Sequence, residues 1–287
     1  MRNSLKSDGK LFVRMKSVWI VSFVIIVFTL FSSYNSYNGA YTFIQDNWQY
    51  IQSTENAAFF NDGMQMLHEY FTALHPQNMM NNAMGLIIGV GALALPIISA
   101  LFCGIEYSQK TVRLRAATFG LEKSFFSKLI ILAVYLLCFL FAYTLIMLLA
   151  GQFMWNSMLS SSAEEIAGAG FYVQAPNNAA IFFFTYFILL FFMLISMMVT
   201  VLFKSGIGGI VAGIVFNYIT IPSALDPHSN INYILSKILY MSPASPVLFR
   251  VNENIAFYPV WACILILACY FLLCAIVYFL VGIRQKN

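Results

Sequence analysis

Charge is what this chain has least of. Only 9% of its 287 residues are Asp, Glu, Lys or Arg, where a soluble domain carries roughly 25%. With 61% hydrophobic residues, 28 Phe and a mean hydropathy of +0.79, a single soluble core of this length cannot hide the apolar surface, so lipid must be its solvent. Other absences exclude chemistry. Lys110-Thr111, Lys123-Ser124 and Lys204-Ser205 all lack the Gly before Lys that a phosphate-cradling loop requires, so the chain has no ATPase site of its own. His68-Glu69 begins a zinc-helix pattern, but Thr72 stands where the second His belongs, and no metal site is expected, with His75 read as structural.

The five cysteines, Cys103, Cys138, Cys263, Cys269 and Cys274, are an odd number without a C-x-x-C pair, and all lie in apolar runs. They read as small hydrophobes packed between helices, with no redox or metal role. The apolar runs have almost no Asp, Glu, His or Lys away from their ends, which argues against a proton relay, an ion-coupled carrier and an intramembrane hydrolase. No selectivity-filter signature and no strong internal repeat is present, which weakens channel and inverted-repeat carrier readings. Nothing points to nucleic acid.

What the chain does have is long apolar runs. A helix crosses a hydrocarbon core of about 30 Å with about 20 residues, and six segments meet that demand: 16–33, 84–103, 129–151, 179–203, 206–225 and 258–283. The expected fold is all-α, a single polytopic domain of six spans. Basic residues precede the first run, but Ser32, Ser33, Tyr34 and Asn35 make a poor cleavage site, so that run reads as an uncleaved span.

Lysine and arginine near span ends stay cytoplasmic. Placing both termini inside puts thirteen of the fifteen basic residues inside, leaving Lys237 and Arg250, while eight of eleven acidic residues fall outside. The pieces between spans follow. Residues 1–17 form a basic interfacial helix and 34–83 a long external loop, either a folded cap of short amphipathic helices or a loop ordered only by packing. Residues 226–257 form an external hairpin that turns back toward the membrane, with 232–241 as its helix.

The one long cytoplasmic connection is 104–128. Its Glu106, Lys110, Arg113, Arg115, Glu122, Lys123 and Lys128 alternate with Val112, Leu114, Ala116, Phe119 and Leu121, as in a short helix along the membrane surface. An ordinary basic loop held by anionic lipid is the alternative.

In this position the run Glu106-Tyr107-x-x-x-Thr111-Val112-Arg113, followed by Lys123 and Ser127-Lys128, resembles the type 2 ABC exporter permeases. Their pattern is E-Y-x-x-G-T-hydrophobic-R, then a turn, a basic residue and Gly-Lys entering span three. Glu106, Tyr107, Thr111, Arg113 and Lys128 match, and Lys123 stands in for the later basic residue. Lys110 replaces the Gly, Phe119-Gly120 occupies the turn, and Ser127 stands where Gly is expected.

The resemblance implies a multi-pass permease subunit in a bacterial cell membrane, not itself an enzyme. It would work with two cytoplasmic ABC ATPase subunits and a second permease, identical or related, in a membrane of lipid. ATP and Mg would bind the ATPase, and no cofactor would bind this chain. Glu106, Tyr107, Thr111, Arg113, Arg115, Lys123 and Lys128 would form the coupling helix segment. The expected cargo is an amphipathic or antimicrobial peptide, with a role in antibiotic resistance or bacteriocin immunity. The alternatives are a drug, lipid or ion exporter of the same family and a non-transporting sensor or scaffold.

Two further residue sets stand out. Phe184, Phe187, Phe191 and Met198 on span four, with Asn217 on span five, would line a greasy substrate path, against the reading that they are core or lipid-facing. Gly85 with Gly89, and Gly209 with Gly213, form G-x-x-x-G pairs for close helix packing, within one subunit or at a dimer seam.

Overall fold

The computed structural model describes residues 1–53, 57–171, 177–219, 225–237 and 259–284. Among them all regular structure is helical: α1 (Arg2–Arg14), α2 (Lys16–Ser53), α3 (Ala57–Leu74), α4 (Pro76–Ser108), α5 (Val112–Phe119), α6 (Leu121–Ser161), α7 (Ala163–Ala169), α8 (Asn178–Phe203), α9 (Gly206–Phe216), α10 (Pro227–Lys237) and α11 (Val260–Arg284). Five of these, α2, α4, α6, α8 and α11, are long and apolar enough to cross a bilayer, the architecture of a multi-pass membrane protein.

The expected span 206–225 is corrected. Its helix α9 has eleven residues, about 16 Å at 1.5 Å per residue and half of what a crossing needs. It ends in tight turns, with Tyr218 N–H donating to Val215 O and Ile219 N–H to Phe216 O. Pro222, which has no N–H and disfavours helical geometry before it, stands close behind in sequence.

α4 is the central helix, packed against α2, α6, α8 and α9. Small residues let its neighbours approach. A Cβ added at Gly213 would meet Pro96 Cβ at 2.5 Å, and one at Gly104 would meet the Gly206 Cα at 2.6 Å, so α9 lies backbone to backbone on α4. Pro96 sits inside α4 and has no N–H to give the Ala92 carbonyl. Asn217, at the end of α9, supplies it: Nδ2 donates to Ala92 O at 3.1 Å and to Gly213 O at 2.7 Å. Beside it the Ser196 hydroxyl of α8 lies 2.9 Å from Pro96 O and 2.8 Å from Gly209 O, tying three helices at one point.

The outward faces are apolar, as lipid contact demands: Trp19, Phe23 and Phe31 on α2, Phe141, Leu149 and Phe153 on α6, and Trp261, Leu272 and Leu273 on α11. The cysteine expectation is corrected in part. Cys103, Cys263 and Cys274 are buried, but Cys138 and Cys269 are exposed on α6 and α11. Apolar runs alone do not say which side of a helix meets lipid.

The segment expected as a long loop is largely helix. α2 continues well past residue 33 and α6 past 151, and with α3 and α7 they enclose a second apolar core of Ala40, Ile44, Leu67, Phe71, Trp155, Met158 and Ile166. A folded cap is therefore built from extended spans. Tyr37 of α2 ties it to α6 by donating to Ser157 Oγ at 2.9 Å. His75 joins cap to bundle: its Nδ1 accepts from Gln77 N–H at the start of α4, and its ring stacks on Phe171 at 4.6 Å and meets Trp155 edge-on at 5.0 Å. Burial holds the His75 imidazole below its ordinary value of 6.5.

In the 226–257 segment the helix begins at Pro227 rather than 232, buries Ile231, Ile234 and Leu235, and packs on α11. Residues 238–257 of that hairpin lie outside the described residues.

Candidate functional site

At the end of the bundle opposite the cap, here the basal end, α4 stops and the chain turns into α5. The stop is a Schellman motif, in which Thr111 N–H donates to Glu106 O at 2.9 Å and Lys110 N–H to Tyr107 O at 3.2 Å. Lys110 adopts φ 56°, the left-handed conformation that glycine favours at this position. The turn after α5 is made by Gly120 at φ 78°.

These two turns, with α1 folded back along α6, bring four charges into one buried cluster. Arg115 of α5 reaches two acids at once: Nη1 lies 2.5 Å from Glu106 Oε1, and Nη2 pairs with Asp8 Oδ1 of α1. Lys128 Nζ of α6 lies 2.9 Å from the same Glu106 Oε1. Ser127 donates its hydroxyl to Asp8 Oδ2, and Ser4 joins through Ser127 at 3.0 Å and Asp8 at 3.3 Å. Asp8 is 0% exposed, Lys128 1% and Glu106 5%.

Two acids and two bases cancel, which is what makes such burial tolerable. A charge stripped of its partner in a dry site costs several kcal/mol. Aromatic rings complete the walls. Lys128 Nζ stands 5.6 Å from the centre of Phe102, the Arg115 guanidinium 5.8 Å from that of Phe119, and Phe12 of α1 meets Phe102 edge-on at 4.9 Å. The cluster thus fastens α1, α4, α5 and α6 together.

Of the residues expected in the coupling segment, Glu106, Arg115 and Lys128 meet in this cluster, and Thr111 closes the turn above it. Tyr107 is half-buried and lines a cleft of about 480 Å³ with Met15, Ser17, Lys204, Ser205 and Ile207. Arg113 and Lys123 stand apart from the cluster, exposed on the outer side with Leu114, which is 68% exposed. Asp8 and Ser4 were missed, and Ser127 was noted only as standing where Gly is expected. A signal existed: Ser4, Asp8 and Phe12 recur every four residues, one face of α1, and Asp8 is the only acid among five basic residues.

The residues expected along a substrate path do not share one surface. Phe187 is exposed on the outside, Phe184 packs on the main core, and Phe191 and Met198 pack with Cys274 and Phe271 of α11. Asn217 is 2% exposed and engaged with α4. Gly209 and Gly213 face α4 and α8 within this chain: a Cβ at Gly209 would come within 2.8 Å of Ser196 O and 3.0 Å of Ala100 Cβ. Gly89 is buried in α4 and Gly85 half-buried. Among the described residues no three His, Cys, Asp or Glu side chains gather as a metal would require.

No protein-family model, curated protein or solved structure matches this chain.

Proposed function

We propose that this chain is the permease subunit of an ATP-driven exporter in a bacterial cell membrane, powered by a separate cytoplasmic ABC ATPase. The observation that carries the reading is the buried Asp8, Glu106, Arg115 and Lys128 cluster. It welds a short helix to the ends of two long apolar helices and leaves Arg113, Leu114 and Lys123 pointing outward. A helix held in this way passes a push on its outer face to α4 and α6 as a rigid-body movement, where a loosely tethered loop would absorb it. Leu114 between cations suits an apolar pocket with an acidic rim on the motor subunit.

In this reading both termini and α5 are cytoplasmic, and the cap of α2, α3, α6 and α7 is external. The half-crossing helix α9 stands where the fifth span was expected, and residues 220–224 of that span lie outside the described residues. Two ATPase subunits, which bind the ATP and Mg, and a second permease complete the pump. An amphipathic or antimicrobial peptide is the proposed cargo.

The test is purification from native membranes in mild detergent. An ATPase and a permease partner should accompany the chain, and ATP turnover should require the complex. Recovery without any ATPase, or labelling of a Leu114→Cys variant by an impermeant reagent from outside intact cells, would overturn the pump. Unchanged sensitivity to amphipathic peptides in cells lacking the chain would remove the peptide cargo alone.

A further inference from the structure

The cleft beside Tyr107, about 480 Å³ in volume, lies where the starts of α2 and α9 meet the ends of α4 and α8 at the basal end. Its lining is divided by chemistry. The polar side chains come from helix ends: Ser17 is the second residue of α2, Ser108 the last of α4, and Lys204 and Ser205 form the turn between α8 and α9. The apolar wall comes from further in. Ile105 and Leu101 lie one and two turns inside α4, which sets Leu101 about 10 Å deeper than Ser108 at 1.5 Å per residue.

The cleft also opens toward lipid. Ile207, which lines it, is exposed together with Val211 and Val215, a row at four-residue spacing that forms the outward apolar face of α9.

Its charge has one sign. Among the described residues Lys204 is the one charged side chain in the lining, and no carboxylate pairs with it. Lys16, which stands between the lining residues Met15 and Ser17, is exposed, as is Arg14. The turn at Lys204, with φ 51°, lets α9 begin at once at Gly206. Ser205 Oγ accepts from Gly208 N–H at 3.3 Å, and the N–H groups of Gly206 and Ile207 precede any acceptor within the helix.

We propose that this cleft binds one anionic phospholipid, its phosphodiester at Lys204 and the start of α9, its glycerol and first acyl carbons against Ile207, Ile105 and Leu101. A basic pocket between spanning helices at the level of the headgroups suits such a lipid, and the volume is that of a small-molecule site. A free phosphate ion would use Lys204 and leave the apolar wall wet, whereas a lipid covers both. The inference stands on the membrane-spanning chain alone and does not rest on the exporter reading.

The experiment uses the full chain purified in a neutral detergent and given equal amounts of phosphatidylglycerol and phosphatidylcholine with the same acyl chains. Native mass spectrometry counts the lipids retained. The expected result is a single retained phosphatidylglycerol, preferred over phosphatidylcholine by about fivefold, the weight of one lysine beside an anionic headgroup. Lys204→Gln should bring the two lipids to parity, and Lys204→Arg should keep the preference. In the wild-type chain, phosphatidylglycerol carrying a photoreactive group near the top of its acyl chain should label residues 101–108 and Ile207, a readout that needs no variant to fold. Equal retention of both lipids by the wild-type chain overturns the proposal, as does a preference undiminished in Lys204→Gln or labelling confined to other helices. Displacement of the lipid by glycerol phosphate at matching concentration overturns it in favour of a free-phosphate site.

Discussion

Arg115 pairs with Asp8, a residue of the N-terminal helix, while its other terminal nitrogen holds Glu106 at 2.5 Å. One guanidinium thus closes α5 onto both α1 and the end of α4, which is the geometry a planar fork of donors allows and a lysine does not.

Removing either partner should be expensive. Asp8→Ala or Arg115→Ala leaves a buried charge without its counter-ion and should cost about 3–5 kcal/mol. Because the two act on one interaction, the double variant should cost less than the sum by about 1–3 kcal/mol. Thermal or denaturant unfolding in detergent measures both, and strictly additive losses would count against the pair.

Arg113 offers the contrast. It is exposed and outside the cluster, so Arg113→Ala should change stability by no more than about 0.5 kcal/mol. Under the exporter reading it should nevertheless weaken ATPase stimulation and transport, and full activity in that variant would sink the proposed handle. Glu106→Ala should damage both coupling and stability, with the chain still inserted.

The helix-breaking proline and its remedy can be separated. Asn217→Ala strands the Ala92 carbonyl and should cost about 1–3 kcal/mol. Pro96→Ala restores an N–H for that carbonyl, so Asn217→Ala in the Pro96→Ala background should be the milder change. A cycle in which Pro96→Ala gives no relief refutes the assignment.

Lys110 holds a left-handed conformation without being glycine. Lys110→Gly should therefore keep the turn and relieve roughly 1 kcal/mol of strain, seen as a raised unfolding midpoint. A loss of stability instead would mean that the lysine side chain outweighs its backbone.

Acid should loosen the cap at His75. Its burial favours the neutral imidazole, so the contribution is present above the ordinary value of 6.5 and is lost as pH falls through the lowered one. Protonated Nδ1 can no longer accept from Gln77 N–H. Proteolysis or hydrogen exchange in the first turn of α4 should rise on acidification, and His75→Asn, which still caps, should remove most of the dependence.

Much of the fold could be read in advance because bilayer thickness imposes a length on apolar runs. The runs at 84–103 and 179–203 fall inside α4 and α8, and Glu106, Arg115 and Lys128 were picked out by the pattern of the connecting segment. Asp8 could not be placed, because its partners lie a hundred residues away and its basic neighbours suggested only a membrane surface. The helical extensions of α2 and α6 escaped notice for another reason: once a helix leaves lipid it no longer needs an apolar run.

Local composition alone determined that this chain lives in a bilayer as several helices, since that property follows from hydropathy and the length of apolar runs. The three-dimensional packing decided which charges meet, that α9 stops half-way, and that Asp226 and His228 are buried, His228 beside Phe216. Burial is a property of neighbours distant in the chain, and a polar stretch such as 226–230 looks the same on paper whether water or phenylalanine surrounds it.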